Sequence, residues 1–206
     1  MIGLADRMLA VHDALRAAGV PHAIGGAIAL GYCTLEARGT QDVDINVFLA
    51  PSRTREVLAA MPDGVRVTAR DLEVAERDGQ VRLLWDATPI DVFFSVLPFH
   101  DEVERNVRQV AFGDRTIPVL DCTGLAVFKA MFARPRDWVD IEAMVEARSF
   151  DVDEAVRWVR EMAGDDPRAE RLAELGAARR SQGEPPPLAV EPEQSEQSDG
   201  AADAGA

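Results

Sequence analysis

Residues 37–48, ARGTQDVDINVF, constrain the fold of this chain more than any other stretch. In a β-strand, residues i and i+2 point to the same side. Asp42, Asp44 and Asn46 therefore share one face, while Val43, Ile45 and Val47 share the other and belong to a core. Two ionised carboxylates ~7 Å apart along a strand repel each other. One reading is a strand with a wet face, whose acids are simply solvated. The other is a site where a divalent cation removes the repulsion. Mg²⁺ takes oxygen ligands, commonly one or two carboxylates plus waters and substrate phosphates. Two such ions can clamp the attacking and leaving oxygens of a phosphoryl or nucleotidyl transfer.

Three neighbouring features favour a site. Gly25–Gly26 lies between a short strand, HAI, and a helix, AIALGYCTLEA, expected over about 26–36. Glycines there let the backbone approach a phosphate and aim helix N–H groups at it, although most Gly-Gly pairs are plain turns. Arg38 and Thr40, a cation and a hydroxyl, stand just before the acids. Asp91 lies within PIDVFFSV, where Ile90, Val92 and Phe94 form the core face and Asp91 shares its face with Phe93 and Ser95. If that strand lies beside 43–48, Asp91 joins the first two carboxylates; otherwise it is a satisfied edge residue.

Of 22 basic residues, 21 are Arg; the lone lysine, Lys129, stands in the apolar run TGLAVFKAMFA. It either reaches out of its helix to solvent or supplies a compact point charge to a triphosphate, where a planar guanidinium is not wanted. Asp137 and Asp140, at i and i+3 of the next helix, share a face. They are read as holding Lys129, as contacting a nucleotide, or as surface and helix-start acids. His12, His22 and His100 have no ligand-like spacing.

The rest of the chain reads as follows. A helix is expected over 3–18, and another from Ser52 through SRTREVLAAM. The runs VRVTA, LEVAER, VRLLWDA and PIDVFFSV suggest a β-meander with a hairpin turn at Asp78–Gly79. A further hairpin is expected around Gly113–Asp114, then helices over 122–133, 135–148, 151–163 and 167–181. The expected organisation is an α+β domain over 1–120, a C-terminal helical part over 121–181, and a disordered acidic tail over 182–206.

Charge and cysteine content narrow the function classes. The net charge is −14, and the tail holds six acids and no base. The other 30 acids and all 22 bases leave a body of −8, unsuited to broad binding of a nucleic-acid backbone. Cys33 and Cys122, outside any CxxC, are expected as reduced thiols in a cytoplasmic protein. No apolar run approaches the ~20 residues of a membrane span.

The order Gly25–Gly26, helix, Asp42-x-Asp44 on a strand and Asp91 on a later strand resembles the nucleotidyltransferase superfamily, with its DNA polymerase β-like fold. The fuller run, with Arg38, Thr40, Asp42 and Asp44, resembles its AbiEii-type toxin branch. LAVFKAMFARPRDWVDIEAM offers the branch's downstream Lys, Arg and Asp positions as Lys129, Arg134, Arg136, Asp137 and Asp140. The gap of 15 residues between Gly26 and Asp42 is on the long side for the superfamily.

The resemblance implies a mixed β-sheet flanked by helices and Mg²⁺-dependent transfer of a nucleotide from an NTP to an acceptor hydroxyl. By this resemblance Asp42, Asp44 and Asp91 are metal-binding and catalytic. Gly25, Gly26, Arg38, Thr40, Lys129 and Asp137 bind the nucleotide. The acceptor is a tRNA 3′ end, a protein or a small molecule such as an aminoglycoside, and a cognate antitoxin is an expected partner. A catalytically silent nucleotide- or partner-binding module is the alternative outside enzymes.

Overall fold

The computed structural model of the chain describes residues 2–181, so the expected tail lies outside the described residues. The first helix, α1 (Leu4–Ala17), buries Met8, Val11 and Leu15 at helical spacing. Strand β1 (His22–Ile24) then runs through Gly25 into α2 (Gly26–Thr34). Strand β2 (Val43–Val47) follows, and a 3₁₀ turn (Pro51–Arg53) leads into α3 (Thr54–Ala59). That helix was expected to start at Ser52; Pro51 fixes the tighter turn first.

The expected meander is only partly present. VRVTA contributes the two-residue β3 (Val65–Arg66), and LEVAER folds as helix α4 (Ala69–Asp78) rather than as a strand. A capping box outweighs its β-like residues: the Asp71 N–H donates to the Thr68 hydroxyl, while the Asp71 carboxylate accepts from the Thr68 N–H. Gly79, at φ +68°, ends α4 in the left-handed conformation, so Asp78–Gly79 is a helix stop and not a hairpin turn. The hairpin joins β4 (Gln80–Trp85) to β5 (Thr88–Phe94) at Asp86–Ala87 instead. Sequence reading placed no helix at α5 (Phe99–Arg105).

Strands β6 (Arg108–Phe112) and β7 (Arg115–Val119) form the expected hairpin. Helices α6 (Cys122–Phe132), α7 (Pro135–Glu146), α8 (Val152–Ala163) and α9 (Pro167–Ser181) follow. The seven strands of the described residues join one sheet in the order β3-β4-β5-β2-β1-β7-β6. Its β2–β5 and β1–β7 pairs are parallel and the others antiparallel. The chain thus adopts the expected α+β class, a mixed sheet flanked by helices.

The centre of the sheet obeys the two-residue period. Val43, Ile45 and Val47 on β2 and Ile90 and Val92 on β5 are fully buried, with Phe94 1 % exposed. Their neighbours Asp44, Asn46, Asp91 and Phe93 point to the other face, where the rings of Phe93 and Phe132, at the end of α6, meet edge to face at 5.9 Å.

The cysteines are not reduced thiols, as expected above. Cys33 on α2 and Cys122 at the start of α6 form a disulfide spanning 89 residues. Both are buried, so the bond ties the glycine-led helix to the helix that carries Lys129. Reduction, or Cys33→Ser, is expected to lower stability by about 2–4 kcal/mol, mainly by freeing the unfolded chain from a long loop. Urea melts with and without a reductant read this directly; an unchanged midpoint would show that the bond contributes nothing.

Candidate active site

Strand pairing assembles the carboxylates. In the parallel β2–β5 ladder, Asp44 and Asp91 are direct partners, on strands that neighbour each other at ~4.8 Å. Asp42 precedes β2 on the same side. Asp91 thus takes the place the sequence allowed it if the two strands were neighbours.

The glycine turn lies against Asp44. The Gly25 N–H donates to the Asp44 carbonyl at 2.9 Å. Gly26 has φ +53°, and a Cβ there would lie 1.8 Å from Asp44 Oδ2. No residue with a side chain fits that position without displacing the carboxylate. A Cβ on Gly25 would lie 2.5 Å from Asn46 Nδ2. Gly25 brings no capping side chain to the start of α2, which leaves the N–H groups of its first turn to other acceptors.

The remaining candidates fall into two ion-pair groups. In the first, the Thr40 hydroxyl donates to Asp42 Oδ1 at 2.5 Å and so orients that carboxylate. Across β4 and β5, Arg82 pairs with Asp91 in register. Its Nε and Nη2 donate to both Asp91 oxygens at 2.7 and 2.6 Å, and Nη2 also lies 3.9 Å from Asp42 Oδ2. In the second group, Lys129 Nζ donates to Asp140 Oδ2 at 2.7 Å and lies 3.6 Å from Asp137 Oδ1. Arg38 pairs with the other Asp140 oxygen. Arg134 donates to Asp137 through its backbone N–H and its guanidinium, at 3.1 and 2.7 Å. Lys129 is therefore buried in a charged cluster, and does not reach out to solvent.

The electrostatics single out Asp44. Its pKa is pushed up to about 6, first by burial and then by the charges of Asp42 and Asp91, with Lys129 and Arg134 pulling the other way. Among the described residues no group donates a hydrogen bond to its carboxylate. Burial also works against the charge of Asp137, but the hydrogen bond and charge of Arg134, with Lys129, hold its pKa below the ordinary value.

An open cleft of about 370 Å³ adjoins Asp91, lined by Gln80, Arg82, Phe93, Phe132 and Arg134 among others. Among the described residues no three acid, thiol or imidazole groups converge as a ready-made metal cage. The donor set at Asp42 and Asp44 nevertheless fits Mg²⁺, which needs only one or two carboxylates beside water and phosphate oxygens. An incoming cation would also relieve the repulsion at Asp44.

Sequence reasoning missed Arg82 and the Phe93–Phe132 pair. Phe93 was placed on the face of Asp91, but its partner is 39 residues away in the chain, in a helix. No feature of the sequence marked Arg82 among 21 arginines.

No family model and no curated protein matches this chain. Solved structures do resemble it at low identity. The antibiotic-resistance factor ANT(2″)-Ia in solution is 16 % identical over 85 % of this chain and 90 % of its own, with a TM-score of 0.48. The same factor in complex with adenylyl-2″-tobramycin is 17 % identical over 87 % and 96 %, also at 0.48. An antigenic nucleotidyltransferase-like protein from Paracoccidioides brasiliensis is 14 % identical over 82 % and 94 %, at 0.44. The residues of the site itself carry the functional reading that follows.

Proposed function

We propose that this chain is a metal-dependent nucleotidyltransferase that moves a nucleoside monophosphate from an NTP to an acceptor hydroxyl. The observation that carries the reading is the register of Asp44 beside Asp91, with Asp42 two residues before and the glycine start of α2 packed against Asp44. Solvated surface acids do not require a glycine within contact distance, nor are they driven to a raised pKa by burial and by one another.

Each residue then has a task. Gly25, Gly26 and the free N–H groups of α2 seat phosphate oxygens. Asp42, oriented by Thr40, and Asp44 would hold Mg²⁺, which when bound offsets charge on the triphosphate and orients it. Asp91 keeps a lone pair on each oxygen beyond those used by Arg82, and accepts the proton of the acceptor hydroxyl. The acceptor oxygen bonds to the α-phosphorus as the bond to the bridging oxygen breaks, and pyrophosphate leaves. Lys129 and Arg38, fixed by Asp140, and Arg134, fixed by Asp137, supply positive charge on the α6–α7 side.

The likeness of the Gly-Gly and Arg-x-Thr-x-Asp-x-Asp runs to the AbiEii-type branch supports a toxin role, with tRNA or a protein as acceptor and an antitoxin as partner. The test is incubation with Mg²⁺ and each α-labelled NTP, in parallel with total tRNA, cell lysate and a panel of aminoglycosides. Label is expected on one acceptor class and lost in Asp42→Ala and Asp44→Ala. Label on an aminoglycoside alone would replace the toxin role with small-molecule modification. No transfer to any acceptor would sink the enzyme reading and leave a nucleotide- or partner-binding module.

A further inference from the structure

Arg82 was not anticipated by any sequence feature, and its placement bears on how many metal ions the site takes. It stands directly across from Asp91 on β4 and grips both of that carboxylate's oxygens. The same guanidinium reaches toward Asp42, with Nη2 3.9 Å from Oδ2. Metal ions of two-metal sites lie about 3.5–4 Å apart and share a carboxylate between them. A guanidinium bonded to both Asp91 oxygens and close to Asp42 would compete with a second ion for those carboxylates. An ordinary surface ion pair has two exposed members, whereas here the Asp91 side chain is 13 % exposed while that of Arg82 is 61 % exposed.

Resting on the nucleotidyltransferase reading, we infer that Arg82 fills the place of a second divalent cation. The chain then binds one metal ion, at Asp42 and Asp44, and Asp91 serves as the proton acceptor that Arg82 positions. Arg82 is a positioning residue: it acts through Asp91 and Asp42, and its charge replaces one that other sites borrow from solution.

The experiment counts ions rather than turnover. Mn²⁺ is titrated into nucleotide-free protein, and free Mn²⁺ is read by its electron paramagnetic resonance signal. The proteins are wild type, Arg82→Met, Arg82→Lys, Arg82→Met/Asp91→Asn and Asp42→Ala/Asp44→Ala. Wild type is expected to bind one ion. Arg82→Met is expected to bind a second, or to bind the first about tenfold tighter or more, because a guanidinium 3.9 Å from Asp42 Oδ2 would repel a cation held by that carboxylate. Arg82→Lys keeps the charge and stays at one ion. Removing Asp91 as well as Arg82 returns the count to one.

Two ions in wild type, or an Arg82→Met protein with unchanged count and affinity, overturns the inference about Arg82 alone. No Mn²⁺ bound by wild type, or binding that survives Asp42→Ala/Asp44→Ala, overturns the metal-site reading beneath it. Arg82→Met leaves the largely buried Asp91 carboxylate without its partner. Thermal melts therefore first establish that each variant is folded, and Arg82→Met/Asp91→Asn, which removes both members, controls for the unpaired charge.

Discussion

Asp44→Asn is expected to abolish the proposed nucleotide transfer and to make the metal-free protein more stable above pH 6. The second half follows from the site's own electrostatics. The pKa of Asp44 is pushed up to about 6 in the folded protein, from the ordinary aspartate value of 3.8, because it is buried and lies beside Asp42 and Asp91. An acid whose folded pKa is raised favours the folded state while protonated. Its contribution is fully present below the unfolded value and is lost as pH rises through about 6. Across that interval the wild type gives up as much as roughly 3 kcal/mol, at 1.36 kcal/mol per pKa unit. Asparagine carries no charge and escapes the loss.

Urea melts in chelator should therefore nearly coincide for the two proteins below about pH 4, diverge as pH rises through about 6 and stay apart by a constant margin above that, with the variant the more stable. Added Mg²⁺ should raise the wild-type midpoint at pH 8 and leave the variant's unchanged. A variant no more stable than wild type at pH 8 would falsify the placement of Asp44 as a charge held against its environment. Stability gained as activity is lost is also the pattern of a residue kept for chemistry rather than for folding.

How far the sequence discloses this site depends on the range of the interaction. The faces of β2 and β5 were legible because side-chain direction in a strand follows from a period of two residues. That period separated Val43, Ile45 and Val47 from Asp42 and Asp44, and Ile90 and Val92 from Asp91. Which strand pairs with which is not local, so the meeting of Asp44 and Asp91 remained conditional. Arg82 depended on a second register, that of β4 against β5, and no local signal separates it from other arginines. The disulfide joins positions 89 residues apart, and two cysteines outside a motif do not reveal that α2 and α6 bring them together.

Within LEVAER two local signals compete: the run suggests a strand of the meander, while the Thr68–Asp71 box and Gly79 bound a helix, and the caps prevail. Arg38, Thr40 and Asp137 show a different limit. Their residue types suggested contact with a nucleotide, and in the folded protein each already has a side-chain partner: Asp140, Asp42 and Arg134. In the proposed reaction they act as much by fixing those neighbours as by touching the substrate.

Lys129→Met is expected to cost about 3 kcal/mol of stability, and Lys129→Arg should not recover it. Lys129, Asp137 and Asp140 are 8 %, 2 % and 5 % exposed. Removing one partner of a buried ion pair leaves a charge without compensation, typically at ~3–5 kcal/mol. Arg38 still faces Asp140 and Arg134 still faces Asp137, which places the loss at the lower end of that range. An arginine keeps the charge but brings a wide, planar group to a site filled by a compact ammonium between two carboxylates. This gives a physical reason for the single lysine in a chain otherwise built with arginine.

A double-mutant cycle with Asp140→Asn separates structure from chemistry. If Nζ works chiefly through Asp140, the double variant is less destabilised than the sum of the single ones, by about 1–3 kcal/mol. If Nζ also meets the triphosphate, the double variant regains that stability yet keeps the raised KM for NTP of Lys129→Met. A Lys129→Met protein that melts with wild type would mean that the ammonium is solvated after all, and that the charged cluster does not hold α6 to α7.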